Sequence, residues 1–384
     1  MRCNAAAALT EEARPAGTRA GAPRSGRRTR PAALDFFAGS GLVTEALRPF
    51  FDVVWSNDVC PRKAAVYCAN HPEHRFQPGG IEDVRGPDLP EAVLSWASFP
   101  CQDLSLAGNI EGIHSARSGL VWQWLRVIDE SAPKPPLLVA ENVVGLLSAG
   151  AGAHYRRLHQ ELVKRGYRAG AVVLDAVRWL PQSRPRVFVV AVEDAVPTED
   201  LETDGPTWCH PAAARRAAAG LDGWVWWRIP EPLSRCKRLE DVIDFDAPVD
   251  GPERRDHNLG LVPPRHLEQV RMLAAEGRRV FPGYKRTRNG CQVLELRFDG
   301  VAGCLRTPEG GSSRQLLVLV RGGRLETRLL TVREASRLMG VRADYEIPGS
   351  YNDGYRAMGD AVAVPAARHL ARRLLAPIAE RLRQ

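Results

Sequence analysis

Between Ala32 and about Pro197, short apolar runs alternate with amphipathic segments, and this alternation predicts strands that are each followed by a helix. The predicted strands are 32–37, 51–58, 92–98, 135–143, 168–176 and 184–192. The predicted helices are 42–50, 60–71, 119–130 and 153–167. We therefore expect an α/β fold with a doubly wound, mainly parallel sheet that closes with a hairpin.

After Pro197 the regular alternation weakens. Residues 198–325 carry turns, clustered tryptophans and the basic stretch 278–290, and regular helices return at 331–340 and 363–382. A chain of 384 residues is long enough for two domains. We predict a main domain at 32–198 that is completed by 355–384, and a second, smaller domain with a hinge at 199–354.

The formal charge of +8 suits a polyanionic partner. Residues 1–33 hold seven arginines against two glutamates and almost no large apolar residue, so we predict a disordered basic tail at 1–31. A transit peptide has a similar composition, but arginine and alanine are abundant in the whole chain, which favours a plain tail. No apolar run reaches eighteen residues, and we expect no membrane-spanning segment.

The eight cysteines form no C-x-x-C pair, which favours a cytoplasmic protein without a structural zinc or other metal. Cys101 follows Pro100 directly after the strand predicted at 92–98. A buried structural cysteine would more naturally lie inside the apolar run, and the nearest candidate for a second metal ligand is the distant His114. The position therefore favours a reactive thiol.

Gly39 and Gly41 lie at the turn between the first strand and the first helix, and Asp58 ends the second strand. Glycines there let the backbone approach a ligand closely, and an acidic side chain at that strand end can accept both ribose hydroxyls. Taken singly, the glycines also fit an ordinary tight turn and Asp58 a helix cap. Together they favour a cofactor that contains a nucleoside.

Three further groups belong at the same edge of the predicted sheet. Cys101 follows one strand, Glu141 ends the next, and Arg184 and Arg186 open the last. Each group also has a simpler interpretation as a buried cysteine, a surface glutamate or solvated arginines. Their common placement at strand ends favours a single active site.

Six segments in chain order carry a family resemblance: DFFAGSG, FPCQDLSLAG, ENVVGL, QSRPRVFVV, LTVREASRLMG and GDAVAVP. The chain resembles the cytosine-C5 DNA methyltransferases from about Leu34 to its C-terminus. Amino-methyltransferases of the same fold use no thiol and fit poorly. The resemblance implies a class I methyltransferase domain at 32–198, completed by 355–384, and a target-recognition domain and hinge at 199–354.

In this resemblance Cys101 is the nucleophile that adds to cytosine C6. Glu141 donates a proton to N3 and binds the exocyclic amine, and Arg184 and Arg186 favour the thiolate, with Arg186 also contacting the cytosine carbonyl. The methyl donor is S-adenosylmethionine. The target base is flipped out of duplex DNA, and residues 102–119 resemble the family's mobile loop that closes over it.

The cofactor contacts implied by the resemblance are Phe37, Gly39, Ser40, Gly41, Asp58, Ile81, Pro100, Leu120, Asp360 and Ala361. Two positions depart from the family pattern. Gly80 stands where the family commonly has an acidic residue for the adenine amine, so Glu82, Asp83 or a backbone carbonyl would have to replace it. Asp360 stands where the family more often has asparagine.

The basic stretch supplies four candidate DNA contacts, Arg279, Lys285, Arg286 and Arg288. A solvated basic face is the simpler alternative. Four residues resemble the family's turn that packs against DNA: Thr307, Gly310, Gly311 and Ser312. The expected partner is double-stranded DNA, bound by a monomeric cytoplasmic bacterial protein that associates with the nucleoid through its substrate.

Two other functions stay open. A related tRNA-directed branch of cytosine methyltransferases carries a Cys-Phe-Thr signature that is missing from this sequence. A catalytically silent DNA-binding relative is disfavoured because Cys101, Glu141, Arg184 and Arg186 are all present. An enzyme of this family serves a restriction-modification system with a cognate endonuclease, acts alone, or comes from a phage, and the target sequence cannot be read from the chain.

Overall fold

The computed structural model describes residues 30–100, 119–307 and 314–383. A seven-stranded sheet forms the centre of the first half of the chain. Its strands are β1 (Ala32–Phe36), β2 (Asp52–Asp58), β3 (Phe76–Pro78), β4 (Leu94–Ala97), β5 (Leu137–Val143), β6 (Tyr167–Asp175) and β7 (Pro185–Glu193). The helices between them are α1 (Leu42–Leu47), α2 (Pro61–Asn70), α3 (Leu120–Glu130) and α4 (Ala153–Val163).

The strand order is β3-β2-β1-β4-β5-β7-β6, with β7 antiparallel to both of its neighbours and the other pairs parallel. The predicted doubly wound, mainly parallel sheet and its closing hairpin are thus confirmed. Consecutive crossovers run in opposite directions from β1, so a crevice opens where the carboxyl ends of β1 and β4 diverge.

Alternate residues of the strands feed two separate cores. On β1, Ala33 packs with α1 on one face of the sheet, whereas Leu34 packs with α3 and α4 on the other. Because both faces are covered, the strand sequences are apolar along most of their length, which is why they could be recognised. The short β3 was missed, since its three residues end in a proline.

A second sheet of four strands was also missed. It consists of β8 (Val280–Arg288), β9 (Cys291–Leu296), β10 (Leu316–Arg321) and β11 (Arg324–Leu329), paired antiparallel in the order β11-β10-β8-β9. Pro282 and Gly283 in β8 disfavour a strand in a sequence reading, and its second half carries three cations instead of apolar residues.

The two faces of this smaller sheet have different partners. Phe281, Leu294 and Val318 face a local core that includes residues of α6 (Pro252–Gly260) and α7 (Pro264–Ala275). Val280 and Leu319 face the opposite way and join one of the cores of the large sheet. The smaller sheet is therefore packed directly against the main body of the molecule.

Residues 199–230, which include α5 (Ala212–Ala218), associate with the large sheet. Trp224 bridges to Ala169 on the edge strand β6, the Val173 amide donates to the Cys209 carbonyl at 2.8 Å, and Trp227 lies in the main core. These contacts cover an edge that would otherwise be open. The boundary expected at residue 199 remains a prediction.

The C-terminal segment returns to the large sheet as α8 (Val332–Met339), α9 (Tyr351–Asp360), α10 (Val364–Leu370) and α11 (Ala376–Arg381). The helix predicted at 363–382 is divided by a π-helical turn at Ala371–Leu375. Pro377 follows this turn and lacks the amide that a regular helix needs. Among the described residues, no helix has the length and apolar character needed to cross a membrane.

Candidate active site

A cavity of about 780 Å³ opens at the carboxyl ends of β1, β2, β4 and β5. The residues that follow β1 and β4, the last residues of β2 and β5, and Arg186 at the start of the antiparallel β7 all line it. The segments 304–307 and 356–362 form its other wall. Strand ends expected at one edge of the sheet therefore share one cavity.

The turn after β1 has an unusual backbone. Phe37, Gly39 and Gly41 all have positive φ angles, of 55°, 56° and 82°. Phe37, Gly39 and Ser40 line the cavity, but Gly41 does not. A Cβ on Gly41 would lie 2.9 Å from the His71 ring and 3.0 Å from the Tyr345 hydroxyl, so this glycine is required by packing behind the turn.

Asp58 at the end of β2 accepts two backbone hydrogen bonds. The Gly39 amide donates to Oδ2 and the Cys60 amide donates to Oδ1, both at 2.8 Å. The carboxylate is thereby fixed beside the turn after β1 and lines the cavity. Asp58 does not cap α2, whose N-cap is Cys60 and which has no side-chain cap bond, and each Asp58 oxygen keeps a second lone pair for a ligand.

The segment after β3 places Gly80, Ile81 and Glu82 on the cavity wall, whereas Asp83 is not among the lining residues. The Glu82 carboxylate folds back over Gly80, and a Cβ on Gly80 would collide with its Oε2 atom. Glu82 thus places a carboxylate in the space that a side chain at position 80 would enter. Of the two acidic residues considered for this position, only Glu82 reaches the cavity.

Four further predicted cofactor contacts line the cavity: Pro100, Leu120, Asp360 and Ala361. Asp360 is the last residue of α9, and its carboxylate lies 2.6 Å from the Lys63 ammonium and accepts a hydrogen bond from the Thr307 hydroxyl at 2.5 Å. The departure from asparagine therefore creates an ion pair at the cavity wall.

Glu141 on β5 is, like Asp58, a buried carboxyl group of the cavity, with 6% of its surface exposed. Its Oε1 lies 3.4 Å from Arg186 Nε. Burial raises the pKa of Glu141, while Arg186, the more distant Arg184 and a hydrogen bond with Ser98 oppose the rise. A raised pKa favours the protonated form, in which the side chain can donate a hydrogen bond.

Arg184 and Arg186 have different environments although they are two residues apart. Arg184 is 1% exposed, and its guanidinium donates to the carbonyls of Leu305, Gly359 and Ala361. It is not among the described residues that line the cavity, whereas Arg186 is. Burial, followed by the charge of Arg186, lowers the pKa of Arg184 to about 10.

Three residues that sequence reasoning did not assign belong to the site. Asn142 donates to the Phe99 carbonyl at 2.9 Å and so fixes the backbone directly before Pro100. Cys304 and Arg306 line the cavity, and Cys304 Sγ lies 3.4 Å from Arg184 Nη1. Asn142 was visible as a polar residue at a strand end, but nothing local marks the other two.

Cys101, together with the loop 102–118, lies outside the described residues, as do Gly310, Gly311 and Ser312. The nucleophile and most of the predicted DNA-facing turn therefore stay predictions. Thr307 is described, and it binds Asp360 as stated above. Among the residues that the structure describes, no cluster of three or more His, Cys, Asp or Glu side chains could hold a metal ion.

The four predicted DNA contacts occupy three different surroundings. One face of β8 carries Tyr284, Arg286 and Arg288, which are every second residue of the strand. Lys285 lies on the opposite face, where it pairs with Leu294 of the local core. Burial and nearby Arg254 of α6 lower the pKa of Lys285. Lys285 is thus separated from the other cations of its strand.

Arg286 on the first face lies over the Tyr284 ring, 5.0 Å from its centroid. Arg288 is bound by both carboxylate oxygens of Glu295, at 2.6 and 3.0 Å. Arg279 precedes the strand, and its guanidinium lies 3.7 Å from the centroid of the Phe245 ring. Arg286 is therefore the cation of β8 that shares a face with Tyr284 and carries no carboxylate partner among the described residues.

The sequence model of the family of C-5 cytosine-specific DNA methylases matches residues 32–213 and 298–376. These ranges contain the cavity walls described above. This chain belongs to the C-5 cytosine-specific DNA methylase family. The predicted activity, transfer of a methyl group to C5 of cytosine in DNA, is confirmed at this level, with S-adenosylmethionine implied as methyl donor. The unmatched residues 214–297 contain α6, α7, β8 and β9.

Curated relatives of this DNA methylase share about a quarter of its residues. The Type II methyltransferase M.NgoBI of Neisseria gonorrhoeae is 27% identical over 334 residues, which cover 86% of this chain and 89% of that protein. The Type II methyltransferase M.MspI of Moraxella sp is 24% identical over 348 residues, covering 89% and 69% of the two chains. The similarity extends well beyond the motifs.

Solved structures show the same fold. The S. pombe Dnmt2 methyltransferase superposes with a TM-score of 0.59 at 19% identity, covering 92% of this chain and all of that one. A putative DNA modification methyltransferase from an E. coli prophage gives a TM-score of 0.56 at 16% identity, with 92% and 100% coverage. At such identities the likeness concerns the fold alone.

Proposed function

We propose that this DNA methylase attacks C6 of a flipped cytosine with Cys101 and transfers the methyl group to C5 through a covalent intermediate. The observation that carries the proposal is the buried Glu141 beside Arg186, in a cavity whose other end carries Asp58 at the end of β2. A carboxyl group with a raised pKa and a cation can together bind the edge of a cytosine ring.

Each group has one task in the proposed reaction. The Cys101 thiolate forms the S–C6 bond, Glu141 donates its proton to N3, and the electrons of the C5–C6 bond make C5 nucleophilic. S-adenosylmethionine supplies the methyl group when bound. Loss of the C5 proton to a base, return of the N3 proton to the Glu141 carboxylate and cleavage of the S–C6 bond then restore the aromatic ring, the glutamic acid and the thiolate.

The two arginines contribute differently to this scheme. Arg186, at the cavity surface, contacts the cytosine carbonyl and favours both the Glu141 carboxylate that remains and the thiolate of Cys101. Arg184 acts as a positioning residue, because its three backbone carbonyl bonds hold the wall segments 304–305 and 359–361 together. We therefore propose a direct contact with the base for Arg186 and an indirect role for Arg184.

The nucleotide end of the cavity fits the methyl donor. Asp58 is fixed by two amides yet keeps lone pairs for ribose hydroxyls, and the positive φ angles after β1 let the backbone approach a ligand. Beyond Asp58, the Glu82 carboxylate stands over Gly80 and can accept from the adenine amine. We assign this role to Glu82 instead of Asp83.

Access to a paired base requires flipping, which costs a few kcal/mol and needs a DNA-binding surface. Arg286 and Arg306 both lie over the Tyr284 ring, at 5.0 and 5.8 Å, and Arg306 lines the cavity. In the described part of the chain no carboxylate forms an ion pair with either guanidinium. We propose that both bind phosphates, with Arg279 and Arg288 at the periphery of the surface.

The recognition region is proposed to lie within 199–354, mainly in the stretch 214–297 that the family model leaves unmatched. We propose two further contributions to DNA binding: the tail 1–31 adds nonspecific affinity, and the turn 307–312 packs against the duplex. Lys285 is the weakest candidate for a direct contact, because it faces the local core.

One assay separates this function from its alternatives. The purified chain is incubated with labelled S-adenosylmethionine and either unmethylated duplex DNA or tRNA. We expect label in DNA alone, and none with the Cys101→Ser variant. Label in tRNA would favour the RNA-directed alternative, and no label in either would favour a silent DNA-binding protein. Bisulfite sequencing of the expression host then gives the target sequence.

The curated relatives are named as Type II methyltransferases. We propose that this chain likewise works as a monomer in the cytoplasm, in a restriction-modification system or alone. A cognate endonuclease is tested by asking whether DNA methylated by this enzyme resists a nuclease encoded beside its gene. Sedimentation of the full chain with and without duplex DNA tests the monomer.

A further inference from the structure

The first turn of helix α2 contains two cations, Arg62 and Lys63, after Pro61 and has no acidic residue. The positive end of a helix dipole disfavours cations there. Both are paired with carboxylates of α9: Arg62 Nε lies 3.3 Å from Asp353 Oδ1, and Lys63 Nζ lies 2.6 Å from Asp360 Oδ2. Only the second pair lines the cavity, and the Arg62 side chain is 63% exposed.

Asp360 connects a third segment to this pair. Its Oδ1 accepts the hydrogen bond from the Thr307 hydroxyl, while its Oδ2 meets Lys63. A carboxylate can accept at both oxygens at once, whereas the amide nitrogen of an asparagine can only donate. The charge at position 360 therefore lets one side chain hold α2 and residue 307 together across the cavity wall.

The segment around Thr307 is in turn fixed to the smaller sheet. The Tyr284 hydroxyl donates to the Cys304 carbonyl at 2.7 Å, and a Cβ on Gly303 would lie 2.6 Å from the Tyr284 ring. Arg306 lies over the same ring. A continuous set of contacts thus runs from the start of α2 through Asp360 to the surface proposed to face DNA.

We propose that Asp360, held by Lys63 and Thr307, couples the cofactor cavity to the DNA-facing segment, so that cofactor and DNA bind cooperatively. The cofactor needs the cavity wall at Asp360, and DNA needs segment 304–307. Both are held in position when Asp360 binds Lys63 and Thr307. The first ligand to bind stabilises that arrangement, and the second then binds more tightly. Such coupling is reciprocal and typically amounts to about 5- to 150-fold in affinity. The inference rests on the proposed function, because it takes segment 304–307 to face DNA.

The test measures S-adenosylhomocysteine binding to the full chain by calorimetry, with and without saturating sheared, unmethylated phage DNA. This DNA carries very many short sequences, so the target site need not be known, and the cofactor product allows no turnover. The ratio of the two affinities is the coupling factor. We expect at least about fivefold for the wild type and less than about twofold for Thr307→Val and Asp360→Asn.

A matched pair of variants separates this connection from general stabilisation of α2. Lys63→Met should lose the coupling and Lys63→Arg should retain most of it, whereas Arg62→Met, one residue away and outside the cavity wall, should keep the wild-type factor. Melting temperatures report whether each variant is folded. Wild-type coupling in Thr307→Val, equal losses in Arg62→Met and Lys63→Met, or no coupling in the wild type would each overturn the inference.

Methyl transfer to the same phage DNA keeps the two proposals distinct. If the wild type methylates C5 of cytosine but shows no coupling, the inference about Asp360 is wrong and the proposed function stands. If coupling is present but no methyl group reaches C5, the proposed function is wrong and the connection through Asp360 stands.

Discussion

The two ends of the cavity use carboxyl groups in opposite ways. At the nucleotide end, Asp58 is fixed by two backbone amides and Glu82 is exposed, so both are suited to accept hydrogen bonds. At the reaction end, Glu141 is buried, its pKa is raised, and Arg186 lies 3.4 Å away. The same chemical group therefore differs between the two ends: amide donors fix the Asp58 oxygens as acceptors, whereas burial favours the protonated form of Glu141.

This contrast shows how one cavity can serve both binding and proton transfer. The fold delivers all three carboxyl groups to one sheet edge, and the groups that surround each side chain decide which hydrogen bonds it can make. A catalytic acid needs a pKa near the working pH, whereas a ligand for hydroxyl or amino groups needs to stay ionised. Variants at the two ends should consequently affect different steps.

The largest effect is expected at the reaction end. Glu141→Gln keeps a group that hydrogen-bonds the cytosine edge but cannot give a proton to N3. Turnover should fall roughly 10²- to 10⁴-fold, the usual contribution of general acid catalysis, with little change in cofactor affinity. Single-turnover kinetics at saturating cofactor measure this. A loss below about threefold would mean that Glu141 only positions the base.

A smaller effect is expected at the nucleotide end. Glu82→Gln should weaken S-adenosylhomocysteine binding roughly fivefold, because glutamine still accepts from the adenine amine but without the charge, a loss of about 1 kcal/mol, and turnover at saturating cofactor should hardly change. Asp83→Asn is the matched control. An analogue without the adenine amino group should bind wild type and Glu82→Gln alike. If the wild type bound that analogue more tightly than Glu82→Gln does, the assignment of Glu82 to the adenine amine would be contradicted.

The two faces of β8 extend the comparison to DNA. Arg286→Ala should lower DNA affinity at every sequence and reduce the slope of log K against log salt by about one unit, as expected for one lost phosphate contact. Lys285→Ala, on the opposite face, should leave the slope unchanged. Titrations of a labelled duplex at several salt concentrations measure both. If log K against log salt had the same slope for both variants, the proposal that Arg286 contacts phosphate and Lys285 does not would be wrong.

The smallest effect on chemistry is expected from a buried carboxyl group outside the cavity. Asp35 on β1 is completely buried and accepts a hydrogen bond from Thr44 at 2.7 Å, but its Oδ1 has no partner among the described residues. Burial raises its pKa to about 7, and the charge of Asp58 adds to the rise. Unlike Glu141, it has no ion pair with a cation among the described residues and does not line the cavity.

Because folding raises the pKa of Asp35, its contribution to stability is complete at low pH and is lost as pH rises through about 7. Between pH 6 and 9, the stability of Asp35→Asn relative to wild type should therefore increase, by about 1 kcal/mol or more, since one pKa unit corresponds to about 1.4 kcal/mol. Denaturant unfolding at each pH measures the difference, and kcat should stay nearly constant. A pH-independent difference would show that Asp35 does not titrate in this range.

The sequence predicted the parts of the site that depend on strand ends. Asp58, Glu141 and Arg186 end or begin strands of a doubly wound sheet, so topology alone brings them to one edge. It could not separate Arg184 from Arg186, because the carbonyls that bury Arg184 lie more than a hundred residues away.

Other details depended on local geometry that pattern reading does not resolve. The side of β8 that Lys285 faces follows from the strand register, and Pro282 and Gly283 concealed the strand itself. Gly41 looked like a ligand contact, yet the His71 and Tyr345 side chains behind the turn are what exclude a side chain there. Glu82 could be chosen over Asp83 only once their side-chain directions were known.

The covalent role of Cys101 is the central claim, and it is tested most directly with DNA that contains 5-fluorocytosine at the target position. The C5 fluorine cannot leave as a proton does, so the S–C6 bond formed during methyl transfer cannot be cleaved by elimination. With S-adenosylmethionine, the wild type should form a complex that survives denaturation, and mass spectrometry should place the adduct on Cys101. Active enzyme that methylates ordinary cytosine but forms no such adduct, or forms one on another residue, would contradict the account.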